Sequence, residues 1–265
     1  MTDFQRELLA LLARNRTPDS HLAGGAGLHI APNSARYSDD LDFFHDSAER
    51  VATAYQEDLT LLDEAGYEVS VVTSQPGLIR TVVSRDGDAT RVDWAHDSAW
   101  RFLPPVRDEV GGYVLHEVDL AINKVLALAG RNEARDFVDI LHIHEHVLPL
   151  GAVVWAASGK DPGFSPLSLL EQLRRRGRFR QEDFDRLALA EPLDAQEAKK
   201  KWLAMLDQAE AFIRSRPAEE VGALYYDAEE GGFAEPIRGP DLAEQGLQQH
   251  YGTPGGVLPR VAEAD

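Results

Sequence analysis

The chain has no cysteine, which excludes disulfides, thiolate zinc sites and thiol nucleophiles, and leaves carboxylate oxygen and imidazole nitrogen as the side-chain donors for any metal. Those donors point towards hard cations. Long apolar runs are also missing: nothing approaches the roughly 18 residues needed to cross a bilayer. The opening MTDFQRELLALLARNR lacks the charged, apolar, then small pattern of a cleaved leader. A cytoplasmic protein without membrane contact is expected. Basic residues are scarce, with 27 Lys plus Arg against 45 Asp plus Glu and a formal net charge of −18. Such acidity repels the phosphates of nucleic acid, so contact with RNA needs a local basic patch. Residues 217–265 hold ten acids and two bases, a net of −8, which leaves −10 on the 216 residues before them.

What is present is ample apolar material, 43% of 265 residues, enough for one large domain or two modest ones. Helix spacing runs through residues 2–14 at Phe4, Leu8, Leu11 and Leu12. A short strand is predicted from Asp39 to Phe44, and a long helix from Ser47, its N-cap, to Ala65 before Gly66. Periodicity then changes to two over residues 67–73, 78–85 and 89–95, three β-branched runs separated by Gln75-Pro76-Gly77 and Asp86-Gly87-Asp88. After another short strand at 113–115 the pattern turns helical over 117–129, 132–147, 150–158, 165–174, 181–190 and 195–215. The expected class is α+β, with a mixed-sheet half over residues 1–116, a helical part over 117–216 and an acidic tail over 217–265 with a hairpin around Gly231-Gly232. No internal repeat is found.

Chemistry is concentrated where Gly24-Gly25 precedes Asp40-Leu41-Asp42. In a strand, residues i and i+2 project from one face, so Asp40 and Asp42 present adjacent carboxylates that repel unless a cation lies between them. Leu41, Phe43 and Phe44 mark the strand as buried. Asp93, in Arg91-Val92-Asp93-Trp94, is an unfavourable strand residue unless it has a task, and is the candidate third carboxylate. Three carboxylates on adjacent strands suit Mg²⁺ and phosphoryl chemistry. Glycines between a strand and a helix let backbone N–H groups approach an anion. A second cluster comprises Lys124, within the apolar VDLAINKVLALAG, then Arg131, Arg135, Asp136 and Asp139. It reads either as a solvated polar stripe or as groups aimed at a phosphate.

Two further segments leave alternatives open. In His142-Ile143-His144-Glu145-His146, His142 and His146 share a helical face with Asp139, yet the run is not His-Glu-x-x-His, and surface or interhelical histidines are the commoner outcome. Arg174, Arg175, Arg176, Arg178 and Arg180 surround Gly177 and Phe179. They suit a solvated helix end as well as an RNA footprint with phosphates on the arginines and a base on Phe179.

The segments LAGGAGLHIAPNSARYSDDLDFF and KVLALAGRNEARDFVDIL resemble the nucleotidyltransferase toxins of the AbiEii family, a branch of the DNA polymerase β-like superfamily found in abortive-infection and toxin–antitoxin systems. The motifs bracket residues 22–141; after 150 only the general layout is similar. The resemblance implies a mixed-sheet nucleotidyltransferase fold followed by helices. Gly24 and Gly25 would line the triphosphate, with Arg36 and Ser38 of the Arg-x-Ser loop beside the nucleotide. Asp40 and Asp42 would bind Mg²⁺ or Mn²⁺, Asp93 would be the third carboxylate, and Lys124 would meet phosphates. Asp136 or Asp139 would complete the helical motif, helped by Arg131 and Arg135. Gly27 departs from the family pattern, which has a better helix former there.

The expected reaction moves NMP from an NTP to an acceptor hydroxyl with release of pyrophosphate. By resemblance the acceptor is the 3′ end of tRNA and a cognate antitoxin is a partner. The alternatives are a small-molecule or protein acceptor, or a non-catalytic nucleotide-binding protein on the same scaffold.

Overall fold

The first helix is fixed by its cap: Thr2 Oγ1 accepts from the Gln5 N–H at 3.1 Å while Gln5 Oε1 accepts from the Thr2 N–H at 3.0 Å. This helix, α1 (Asp3–Leu12), buries Leu8, Leu9 and Leu12. The computed structural model describes residues 1–31 and 34–259; Pro32 and Asn33 of the polar loop and residues 260–265 of the tail lie outside them. The chain divides into two units, one of residues 1–120, 188–190 and 254–256, the other of 121–187, 191–253 and the C-terminal residues from 257.

In the first unit β1 (Ser20–Ala23) leads directly into the short α2 (Gly24–Leu28), and β2 (Asp40–His45) is followed by α3 (Ala48–Glu64). Ser47 caps α3 by accepting from the Arg50 N–H at 3.1 Å. Then come β3 (Glu68–Gln75), β4 (Leu78–Arg85), β5 (Asp88–His96), β6 (Trp100–Arg101), β7 (Val106–Asp108) and β8 (Gly112–Val114). Seven strands form one mixed sheet in the order β3-β4-β5-β2-β1-β8-β7. The β2–β5 and β1–β8 pairings are parallel, and the others are antiparallel. The short β6 and β7 carry no alternating apolar pattern and were not legible as strands.

One face of this sheet is covered by α1 and α3. Leu22, Leu41, Phe43, Val83, Val92 and Trp94 meet Leu8, Leu12, Val51, Tyr55 and Leu62 in a shared core. A buried ion pair runs through it. Arg16 Nη2 donates to Asp58 Oδ1 at 2.6 Å, and Trp94 Nε1 donates to Asp58 Oδ2 at 2.7 Å, so every polar group brought inside by Asp58 has a donor facing it. Because strand side chains alternate, burying Leu41, Phe43, Val92 and Trp94 on the helical face sends Asp40, Asp42, Arg91 and Asp93 to the other.

The segment expected as helix over 181–190 is helical only as α8 (Gln181–Phe184). Its continuation is drawn into extended pairing: the Tyr37 N–H donates to the Ala188 carbonyl at 2.8 Å, the Ala190 N–H to the Ala35 carbonyl at 2.9 Å, and Arg36 pairs with Leu189.

The helix α4 (Glu117–Gly130) begins in the first unit, where the buried Asp119 accepts from the N–H groups of Phe102 and Leu103 at 2.8 and 3.0 Å. The second unit contains the rest of α4 with α5 (Ala134–His146), α6 (Leu150–Lys160), α7 (Pro166–Arg176), α8 and α9 (Ala195–Ser215). The nearly all-apolar α6 packs against α7 and α9, its residues from Leu150 to Ser158 buried. The acidic C-terminal stretch adds a three-stranded antiparallel sheet, β10 (Gly232–Phe233), β9 (Leu224–Asp227) and β11 (Leu247–His250) in that order, with Gly231 at positive φ in the β9–β10 turn. Among the described residues no single helix is long and apolar enough to cross a membrane.

Candidate active site

The site begins with a register. Parallel pairing of β2 with β5 places Asp40 beside Arg91 and Asp42 beside Asp93, while antiparallel pairing with β1 places Asp42 beside Ala23, the residue before Gly24. The three carboxylates expected from the sequence therefore stand on neighbouring strands and on the face opposite the helices. Asp40 and Asp93 are buried and Asp42 is half-buried.

Gly24 sits against this cluster at φ +60°, in the left-handed region, and a Cβ there would collide with the Asp42 carboxylate. At Gly25 a Cβ would stand 2.6 Å from Arg36 Nη2 and 2.8 Å from Ser38 Oγ. The glycine pair is thus what admits Asp42, Arg36 and Ser38 to one place. Ser38 Oγ donates to Asp40 Oδ1 at 3.1 Å, and Gln5 Nε2 holds the loop by donating to the Ser38 carbonyl at 3.1 Å and to Thr90 Oγ1 at 3.0 Å.

Two arginines temper the negative charge. Arg80 of β4 grips Asp93: its Nε lies 3.0 Å from both carboxylate oxygens and its Nη2 2.6 Å from Oδ2. Arg91 joins the other two partners, its Nη2 pairing with Asp40 and its Nε lying 3.7 Å from Asp93 Oδ1. Neither arginine figured among the expected site residues. The Arg91-x-Asp93 alternation placed one of them on the site face, and the Asp86-Gly87 turn placed the other opposite Asp93. Gln5 left no comparable signal.

These contacts bear on a metal. Among the described residues no three His, Asp or Glu side chains are grouped to hold an ion, and Asp93 and Asp40 each face a guanidinium group. Magnesium, however, is ordinarily held by one or two carboxylates together with substrate phosphates and water rather than by an all-protein cage. The Asp40–Asp42 pair, with hard oxygen donors on one strand face and Asp42 the more exposed of the two, fits that mode.

The second expected cluster also assembles, within the second unit. Lys124 Nζ lies 3.2 Å from Asp136 Oδ1 and 2.7 Å from Asp139 Oδ2, and Arg131 grips Asp136 through Nε at 2.7 Å and Nη2 at 3.1 Å. Both carboxylates are fully buried and Lys124 is 6% exposed. In this geometry the Lys124 ammonium bridges α4 to two turns of α5. Arg135 is half-buried on the first turn of α5.

Elsewhere, His142 and His146 bring their rings to 4.6 Å, but Glu145 pairs with Lys201 and His144 Nδ1 accepts from the Leu150 N–H at 3.1 Å, so the histidine run does not converge on a point. Of the five arginines, Arg174 faces Glu210 at 3.1 Å and Arg175 faces Glu171 at 3.0 Å. Arg176, Arg178 and Arg180 are exposed.

Comparison with known proteins agrees with this layout. The family model described as nucleotidyl transferase AbiEii toxin, type IV toxin–antitoxin system, matches residues 8–223. No curated protein matches. The fold resembles that of MenT4, a nucleotidyltransferase toxin of Mycobacterium tuberculosis, at 20% identity and a TM-score of 0.53, over 82% of this chain and 83% of that one. It also resembles JHP933 of Helicobacter pylori, at 16% identity and a TM-score of 0.51 over 80% and 91% of the two chains. A putative nucleotidyltransferase of H. pylori is similar at 17% identity and a TM-score of 0.51, over 81% and 98%. With the glycine pair, the Asp-x-Asp strand and the mixed sheet in place across the matched region, the chain belongs to the AbiEii nucleotidyltransferase toxin family.

Proposed function

We propose that this toxin nucleotidyltransferase moves a nucleoside monophosphate from an NTP to the 3′-hydroxyl of RNA, with tRNA as the acceptor, and so blocks translation in the cytoplasm until an antitoxin restrains it. The observation that carries this reading is the Asp40–Asp42 pair set against Gly24, where neither a side chain at position 24 nor a shifted register would leave both carboxylates in place.

Asp40 and Asp42 are the residues assigned to hold Mg²⁺. When bound, it supplies positive charge that polarises the α-phosphate and favours ionisation of the acceptor hydroxyl. The protein's own part is positioning. The Gly24–Gly25 backbone admits the triphosphate, Arg36 and Ser38 orient it, and Arg80 holds Asp93 so that Arg91 is fixed between two acids. The acceptor oxygen forms a bond to the α-phosphorus as the bond to the bridging oxygen breaks; pyrophosphate leaves with that electron pair, and the hydroxyl proton passes to the carboxylate rim. Lys124, Asp136 and Asp139 are assigned a supporting part, a neutralised ion cluster that fixes α4 on α5.

The test is incubation of the full chain with each labelled NTP, Mg²⁺ and total RNA. Label on tRNA by the wild type and none by Asp42→Ala is expected. Equal labelling by both overturns the assignment, and transfer to a small molecule or protein with none to RNA overturns the acceptor.

A further inference from the structure

The second unit contains a cleft of about 710 Å³ that the nucleotidyltransferase chemistry does not use. Its apolar wall includes Phe179, Phe184 and Trp202, and its charged lining includes Arg178, Arg180 and Lys199, with no acid among the lining side chains. In a chain of net charge −18 that is a local reversal of sign. Phe184 and Trp202 are buried, whereas Phe179 is half-buried, packed 5.3 Å from Phe137 and 6.1 Å from Phe184 between ring centroids, and so keeps ring surface facing the cleft. Arg178, Arg180 and Lys199 are exposed and form no ion pair among the described residues, unlike Arg174 and Arg175.

Trp202 is 1% exposed, and its indole Nε1 has no hydrogen-bond partner among the described residues. That nitrogen lies beside Gly177, another residue of the cleft, where a Cβ would overlap it. A buried indole N–H ordinarily finds an acceptor, but this nitrogen is sealed off beside Gly177, so it is the apolar ring of Trp202 that contributes to the cleft wall.

We propose that this cleft takes an unstacked base of a single-stranded RNA segment, with the flanking phosphates on Arg178, Arg180 and Lys199. The inference rests on the RNA-acceptor reading for its choice of ligand. Stacking on an aromatic ring is tolerant of base identity, and cations on the rim track the backbone, which is how single-stranded RNA is ordinarily held. The chemistry differs from that for an acidic peptide, which would use the cations and leave the aromatic wall unanswered.

The test measures binding of a fluorescein-labelled 12-nucleotide single-stranded RNA to the full chain without NTP, over a salt series, beside the same RNA carrying abasic residues. Arg178→Ala/Arg180→Ala is expected to weaken binding at least tenfold and to lower the slope of log affinity against log salt by about 1.4, about 0.7 for each lost phosphate contact. The abasic RNA should bind the wild type roughly tenfold more weakly. Phe179→Leu should remove most of that preference. Wild-type binding by the double variant with an unchanged salt slope overturns the proposal, as does an abasic RNA or a polyglutamate chain that competes as well as ordinary RNA. Because no transfer is measured, the outcomes separate. Base-dependent binding here by a protein that labels no RNA would end the transfer reading alone, and RNA labelling with binding indifferent to these substitutions would end this one alone.

Discussion

Arg91 of β5 and Asp40 of β2 are direct register partners, and their side chains form an ion pair on the sheet face that carries Asp42 and Asp93. The pair puts a fixed positive charge where the proposed Mg²⁺ would contribute its own. Like charges a few ångströms apart oppose each other even near a surface. Arg91→Gln should therefore lower the Mg²⁺ concentration for half-maximal transfer roughly fivefold or more, and titration of the variant with Mg²⁺ by calorimetry should show the same tightening. An unchanged or raised Mg²⁺ requirement would show that Arg91 does not compete with the ion.

Gly24 meets two constraints, its positive φ and the Asp42 carboxylate standing where a Cβ would project. Gly24→Ala should cost about 1–2 kcal/mol of stability from the backbone alone and reduce transfer at least a hundredfold by displacing Asp42. Asp42→Ala should remove transfer while leaving the melting temperature within a few degrees, since Asp42 is half-buried and outside the core. Steady-state transfer and thermal melts of both variants check the contrast.

Lys124 neutralises two carboxylates that have no access to water. Replacing it with Met leaves Asp136 to Arg131 and Asp139 without its ammonium, and removal of one partner from a buried ion pair costs about 3–5 kcal/mol. Lys124→Met should melt far below wild type, whereas Lys124→Met combined with Asp139→Leu should recover part of the loss. Failure of the double variant to recover any would count against the ion cluster as the cause.

Acid should destabilise the first unit through two histidines. Burial pushes His45 down to about 3, with Arg16 and Arg50 adding to the effect, and pushes His21 down to about 4, with Arg101 adding, from an ordinary value of 6.5. The folded protein keeps both neutral while the unfolded chain takes up protons below 6.5, so their contribution is full above that pH and is lost as pH falls towards 4 and then 3. The loss should be on the order of 3 kcal/mol for His21 and about 5 kcal/mol for His45. Neither ring nitrogen of His45 has a hydrogen-bond partner among the described residues, so His45→Leu should flatten the acid limb of a melting-temperature profile without a large penalty at pH 7. Glu235 works in the other direction: burial raises it to about 7 from 4.5, so its contribution is full below 4.5 and is lost as pH rises through 7.

The β2 strand, the cap at Ser47, the β4–β5 hairpin and most helices were legible because each depends on neighbours in sequence. The turn at Asp86-Gly87, with φ +54° and +92°, even fixes which residue of β4 opposes Asp93. What could not be read was the parallel register that sets Asp42 beside Asp93, because nothing local links strands separated by a long helix and a hairpin. The five arginines likewise looked equivalent in sequence, and only the packing of α7 against α9 distinguishes Arg174, turned to Glu210, from the exposed Arg178 and Arg180. The predicted helix through Ala190 failed for the same reason: pairing with residues 35–37 overrode local propensity.

That last pairing has a consequence for biosynthesis. The loop bearing Arg36 and Ser38 is clasped by Ala188–Ala190, so a ribosome must deliver the sheet, α4, α5, α6, α7 and α8 before the clasp exists. Domains ordinarily fold from the N-terminus as they emerge, yet here a nascent chain that stops short of residue 190 carries its glycines and aspartates without the strap that fixes their neighbours. A premature stop upstream of the clasp should therefore yield a fragment whose Arg36–Ser38 loop lacks its pairing partner, so full assembly of the site waits until translation of the chain is well advanced.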